Sequence, residues 1–296
     1  MYSIIKDIID SFNPEDLEGK TDGSWKKLGD YTFRFAENER SKRTFSQNKY
    51  VLYHYTSFNT AKKIIEGNSL RFSDPEDFND PFDLNLDLLD FESSLEDCVD
   101  FFSRFFSFDR ESYTKSLAHT ISKDPDFIRK NGIQMLKEFK EDIGVVCFSD
   151  EYDNALMWGH YADKHKGVCL GINIGSTKKY NIMPMNYINE LIRLNFYKHL
   201  NPDLHLLYIW LHYKSHIWEY EKEFRAICPS LSKFCDNNQR LIEFPKADLK
   251  EIYFGIKTND KDINEMEEHL IQYNYDVGNI KKEKMSINPG TYSFKR

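Results

Sequence analysis

Apolar and aromatic positions fall in short blocks along the chain, and the block from Tyr50 to Ser73, YVLYHYTSFNTAKKIIEGNSLRFS, has the clearest pattern. The run Tyr50–Tyr53 predicts a buried strand. His54-Tyr55-Thr56-Ser57 ends that run as a turn, and Ala61, Ile64 and Ile65 then recur at helical spacing. Gly67-Asn68 supplies the helix stop, and Leu70–Ser73 predicts a second strand closed by Asp74-Pro75. The unit reads as strand, His-bearing turn, short helix, strand. A polar residue at the end of a buried strand sits on a rigid base facing a cleft, so this unit is expected to form half of an active site.

The same pattern divides the rest. Ile4, Ile5, Ile8, Ile9 and Phe12 lie on one face of a docking helix over 2–12, and 13–48 reads as a polar connection or arm. Gly19-Lys20-Thr21 within it lacks the upstream glycine and strand of a phosphate loop. Phe78-Asn79-Asp80-Pro81-Phe82-Asp83 predicts a rigid turn pinned by two buried Phe rings. Helices are expected over 91–108 and 124–141, a strand over 144–149, a short helix over 154–162 and a strand over 167–174. A strand with an irregular connection is expected over 182–196, then an aromatic-rich helix over 203–218 and a strand over 218–228. Strands at about 240–244 and 250–256, a helix over 260–273, and strands near 276–286 and 290–295 complete the chain. The organisation is a helix and arm over 1–48, then one α+β domain over 49–296 with a helical insertion at about 91–141.

Composition narrows the class. With 296 residues, 40% hydrophobic and 30% charged, the chain is long enough for a sizeable core, and 23 Phe with 18 Tyr make that core bulky. No apolar run has the length of a membrane span, and Met1-Tyr2-Ser3 does not open a secretory signal, so no membrane partner is expected. Five Cys without paired spacing suit a reducing cytoplasm. A formal charge of −8 disfavours nonspecific nucleic-acid binding.

Candidate chemistry gathers late in the chain. If 218–228 is a strand, Glu221, Glu223 and Arg225 share one face, where like and opposite charges can tune a carboxylate. The alternative is an exposed face with an ordinary ion pair. Trp158 and Tyr161 share a helical face and offer an aromatic wall, or simply core packing. His160, His165 and Cys169 fit no common zinc spacing, so no metal site is expected there. Ser149 lacks the G-x-S-x-G elbow of serine hydrolases.

Two resemblances meet at these residues. The segments HYTS (54–57), FNDPFD (78–83), MWGHYA (157–162), GVCLGI (167–172) and WEYEKEFR (218–225) resemble the ordered motifs of a widespread bacterial family of unknown function, over roughly residues 50–295. The opening unit, with IIEGNSLRF, also resembles the start of ADP-ribosyltransferase-type domains, including their DNA-modifying toxin and RNA 2′-phosphotransferase branches. Glu221-Lys222-Glu223 resembles the Glu-x-Glu of those enzymes. The resemblance implies an ADP-ribosyltransferase-like split β-sheet core with an NAD-binding cleft. His54 would bind a ribose hydroxyl, with Tyr55 and Thr56 beside it; Tyr161 or Phe72 would stack on nicotinamide. Glu223 would stabilise the oxocarbenium-like centre and Glu221 would activate the acceptor. Arg71 or Arg225 would face the pyrophosphate, and Ser149 competes with Tyr161 for the middle motif. Many relatives have Gly where Tyr55 stands.

The implied function is NAD-dependent ADP-ribosyl transfer to a macromolecular acceptor, protein or nucleic acid, in bacterial conflict or phage defence. The alternatives are a noncatalytic sensor or interaction module on the same fold, and a metal-dependent hydrolase or nuclease built on Asp80, Asp83, Glu221 and Glu223.

Overall fold

The computed structural model describes residues 25–28, 31–34, 51–173, 181–189, 194–199, 210–228, 231 and 240–295. The predicted helix over 2–12 lies outside them, as does most of 13–48, where β1 (Trp25–Leu28) and β2 (Tyr31–Arg34) form an antiparallel pair. The domain begins with β3 (Val51–Thr56), α1 (Phe58–Gly67) and β4 (Ser69–Arg71). Ser57 caps α1 by accepting from the Thr60 N–H, and Asn68 ends it in the left-handed conformation at φ 48°. β5 (Leu89–Asp90), α2 (Leu95–Phe105), α3 (Arg110–Lys123), α4 (Phe127–Asp142) and β6 (Gly144–Ser149) follow. Next come α5 (Ala155–Tyr161), β7 (Val168–Asn173), β8 (Asn181–Pro184), β9 (Asn186–Ile188), β10 (Leu194–Asn195) and α6 (Phe196–His199). β11 (Tyr213–Ser215), β12 (Glu223–Cys228), β13 (Leu241–Glu243), β14 (Leu249–Phe254), α7 (Asp260–Gln272) and β15 (Lys281–Lys284) complete the list.

Seven strands make one mixed sheet in the order β15-β14-β7-β3-β6-β12-β8. Its neighbours are antiparallel except β14 and β15. Alternation along the strands gives the sheet two apolar faces. On one, Leu52, Phe148, Leu170 and Ala226 pack with Ile64 and Ile65 of α1 and with Met266 and Leu270 of α7. On the other, Val145 and Ile227 meet the helical layer through Phe101, Leu136 and Phe139. Tyr55, Cys169 and Tyr253 on that second face enclose Trp158 of α5. The result is an α+β fold of helices on both sides of a sheet. Among the described residues no helix is long and apolar enough to cross a membrane.

Several local expectations change. His54 lies inside β3 rather than in a turn. Three helices, not two, fill 95–142; α3 was hidden because Leu117 is its only buried residue, so it carries no apolar stripe. The aromatic stretch at 203–218 is described only from Trp210, and there Tyr213–Ser215 pairs in parallel with β9 instead of continuing a helix. The stretch 182–196 holds three short strands, and 290–295 contributes only an isolated bridge, Ile287 with Phe294. In the turn at 78–83, Phe82 is 62% exposed and Phe78 half-buried, so two buried rings do not pin it. The Asp80 carboxylate holds the turn instead, accepting from the Phe82 N–H.

The connection from α5 to β7 is tightly constrained. Asp163, Lys164 and His165 are all left-handed, with φ of 45°, 53° and 72°. A Cβ on Gly167 would strike the Thr56 carbonyl oxygen and the backbone of Ala162. Because backbone cannot swing aside, Gly167→Ala is expected to lower stability by about 1–3 kcal/mol. The urea midpoint reads this directly, and an unchanged midpoint would mean that β3 and β7 separate freely.

Candidate functional site

The site lies where the sheet is least continuous. β3 and β6 share a single register pair, Tyr53 with Ser149. Beyond it the free edge of β6 is satisfied piecemeal, as buried backbone must be. The Cys147 carbonyl is 3.0 Å from His54 Nδ1, and Val145 exchanges both backbone hydrogen bonds with Ser73. A carbonyl only accepts, so His54 Nδ1 carries the hydrogen. Burial lowers the His54 pKa, which keeps the ring neutral at pH 7. The strands part along this gap, and a cleft of about 350 Å³ opens with Tyr53, His54, Phe78, Cys147 and Tyr161 among its walls.

A chain of charge-assisted hydrogen bonds forms the floor. Arg225, fully buried, binds Asp83 through two nitrogens at 3.0 and 2.6 Å and Glu223 through Nε at 3.0 Å. Its Nη1 also donates to the Leu211 carbonyl, and its guanidinium lies 5.3 Å from the Phe78 ring centroid. Lys214 Nζ donates to Glu223 at 3.0 Å and to Glu221 at 2.6 Å, with Asp83 at 3.9 Å. Tyr161 donates to the other oxygen of Glu221 at 2.5 Å and accepts from Asn79 Nδ2 at 3.0 Å.

Glu221 and Glu223 converge, but not as two residues on one strand. Residues His216–Glu221 form a 3-10 turn, Lys222 is left-handed at φ 45°, and β12 starts only at Glu223. The break comes from positive φ at Lys222, which no extended strand tolerates. Ser149 Oγ donates to the Glu221 carbonyl at 2.7 Å, and Tyr187 Oη accepts from the Glu223 N–H at 2.8 Å, so both backbones are pinned.

Three carboxylates face two cations, leaving one negative charge in excess when all five are ionised. The two glutamates respond oppositely. Burial alone would raise Glu223, but Arg225 and Lys214 outweigh it and hold its carboxyl well below the usual range. Glu221 is raised, by burial and by the Glu223 charge, against the pull of Lys214. Burial opposes the charge on Lys214, yet Glu223 and Glu221 raise its pKa overall. Burial and Glu223 push the Cys147 thiol up, so it stays protonated beside that carboxylate. Tyr161 is raised by burial and by Glu221, and stays a donor.

The residues singled out from sequence divide clearly. His54, Tyr55, Tyr161, Glu221 and Glu223 line the cleft. His54 sits on the Leu52 side of β3, however, and no hydrogen bond or ion pair joins it to either glutamate among the described residues. Ser149 and Arg225 do not line the cleft; both are wholly buried and already hydrogen-bonded, so neither is open to a ligand. Phe72 is fully buried in the core and cannot stack on a ligand in the cleft. Thr56 is buried at the end of β3 and Arg71 is exposed on β4; neither lines the cleft, although Arg71 lies 3.9 Å from Asp77, which does. Trp158 packs edge-on against Tyr55 in the core, so of that pair it is Tyr161 that meets the cleft, with Met157 and His160 of the same helix beside it. Among the described residues no group of three or more His, Cys, Asp or Glu is arranged to hold a metal ion; Lys214 Nζ occupies the point between Asp83, Glu221 and Glu223.

Lys214, Asn79 and Cys147 were not singled out. Lys214 left one trace in the sequence, the single lysine among the aromatic and histidine positions of Leu211–Trp218. No protein-family model matches the chain, and neither does any curated protein or solved structure compared with it.

The opposite shifts of the two glutamates have opposite consequences for stability. The depressed Glu223 contributes stability that is present above the ordinary carboxylate range, near pH 4.3, and is lost as pH falls through its folded value. The raised Glu221 favours the fold below that range and loses this contribution as pH rises through its folded value. Glu223→Ala is therefore expected to cost about 3–5 kcal/mol at pH 7, because it strands Arg225 and Lys214. Glu221→Gln should gain on the wild type as pH rises above the ordinary carboxylate range, because only the wild type must ionise this buried carboxyl. Urea denaturation at a series of pH values separates the two, and identical profiles for both variants would contradict the assignment.

Proposed function

We propose that the chain is an NAD-dependent ADP-ribosyl transfer enzyme acting on a macromolecular acceptor, with the gap between β3 and β6 as the site for NAD. The observation that carries this reading is the surplus carboxylate on the floor of an aromatic-walled cleft. Nicotinamide in NAD is a flat cation, and Phe78 and Tyr161 supply ring faces for it. When the bond from nicotinamide to the ribose C1′ breaks, nicotinamide leaves with the electron pair and positive charge develops on the ribose. A fixed negative charge on the buried floor of the cleft stabilises that centre more than it stabilises the ground state. The acceptor then bonds to C1′ and gives up its proton.

Within this reading Glu221, with its raised pKa and its position beside Tyr161, is the group that meets the ribose and takes the acceptor's proton. Glu223, held by both Arg225 and Lys214, is a positioning residue. A cleft of about 350 Å³ suits the nicotinamide and ribose half of NAD, and the adenosine half would lie outside it. The metal-dependent reading is weaker, because Lys214 already neutralises the carboxylates a cation would need. Saturation of Glu221 and Glu223 by Lys214 and Arg225 also suits a noncatalytic binding module, and one assay distinguishes the two.

Nicotinamide release from NAD, with and without cell lysate, is expected from the wild type and should fall about 100-fold or more in folded Glu221→Gln. A rise in Tm with NAD but no release would favour the binding module. Neither release nor a rise in Tm from folded protein would overturn both.

A further inference from the structure

Asn79 lines the cleft beside Phe78 and is exposed, so its side chain is open to a ligand. One half of its amide is committed. Tyr161 has a single hydroxyl hydrogen, which Glu221 receives at 2.5 Å, so the phenol oxygen meets Asn79 as an acceptor and Nδ2 donates to it at 3.0 Å. That bond fixes which way the amide faces. Oδ1 is turned away from the phenol, and among the described residues no donor meets it. The turn that carries Asn79 is itself anchored, because Asp80 accepts from the Phe82 N–H and Asp83 is gripped by two nitrogens of Arg225. An oriented, vacant acceptor therefore stands at the hydroxyl end of the Tyr161 ring.

We infer that Asn79 is a specificity-determining residue of the cleft, its Oδ1 accepting from the amide nitrogen of a carboxamide carried by a flat cationic ring stacked on Tyr161. The inference rests on the reading of the cleft as the site for NAD, and it names the part of nicotinamide that the ring walls do not select. Phe78 and Tyr161 attract any flat cation of the right size. An acceptor at the ring edge separates a carboxamide from a ketone of the same shape and charge, since only the carboxamide has N–H to give.

The probes are 1-methylnicotinamide and 1-methyl-3-acetylpyridinium, both single-ring cations without a ribose bond to break. Calorimetry on the wild type is expected to show the carboxamide bound about 3- to 10-fold more tightly, as one hydrogen bond open to water supplies. Asn79→Ala should make the two affinities equal with little change in Tm, because the position is exposed. Tyr161→Phe keeps the ring but frees the amide to turn, and should narrow the preference. Binding without preference, or a preference that survives Asn79→Ala or is untouched by Tyr161→Phe, would overturn the inference and leave the cleft as a site for flat cations. No binding of either probe to folded wild type would overturn it together with the placement of nicotinamide. A preference lost in Asn79→Ala, in a protein that releases no nicotinamide from NAD, would uphold the carboxamide contact and favour the binding module over the transferase.

Discussion

The burial of one guanidinium organises this domain. Arg225 projects from the middle of β12 into a space with no access to water, and an ion of that size is stable there only when every donor is directed at an acceptor. Asp83 supplies a bidentate partner from the turn after α1 and β4, Glu223 a second from the start of β12, and Leu211 a carbonyl from the segment before β11. Three stretches distant in sequence are thereby held to one point. An apolar replacement of the whole network can in principle match it in stability. What the network adds is position: Lys214, Glu221 and Tyr161 inherit their geometry from it.

The same wiring separates two chemically identical side chains. Glu223 sits between two cations and is committed to its charge, whereas Glu221 shares only Lys214 and is buried next to a like charge. Pairs of carboxylates driven apart in this way are a recurring arrangement for acid–base work, since one remains a fixed charge and the other holds its proton to higher pH.

Much of the framework was legible in the sequence because it follows period and punctuation. The strand at 144–149 and the helix over 260–272 are found where apolar spacing puts them, and Asn68 ends α1 as a left-handed cap. The stretches at 54, 78–83, 157–162 and 218–225 do come together at one place. Pairwise chemistry was not legible. Nothing local announces that Asp83 faces Arg225 across 142 positions, or that Lys214, in a segment read as helix, belongs between two glutamates. The strand reading of 218–228 holds from Glu223 onward and stops short at its start for a conformational reason: Lys222 is left-handed, a state that side-chain alternation does not record. Phe72 and Trp158 went to the core because aromatic residues suit a cavity wall and a packed interior equally well, and only the third dimension separates these uses.

A sheet ordinarily spreads mechanical load over every rung of its ladders. Here the rungs between β3 and β6 are reduced to one strand pair, with an imidazole and the Ser73 backbone substituting along the rest of the edge. Backbone pairing thus divides the sheet into β15-β14-β7-β3 on one side and β6-β12-β8 on the other, and the apolar core beneath α1 and α7, not the ladder, joins the two halves. The cleft runs along that division, and the His54 ring is bonded across it to the Cys147 carbonyl.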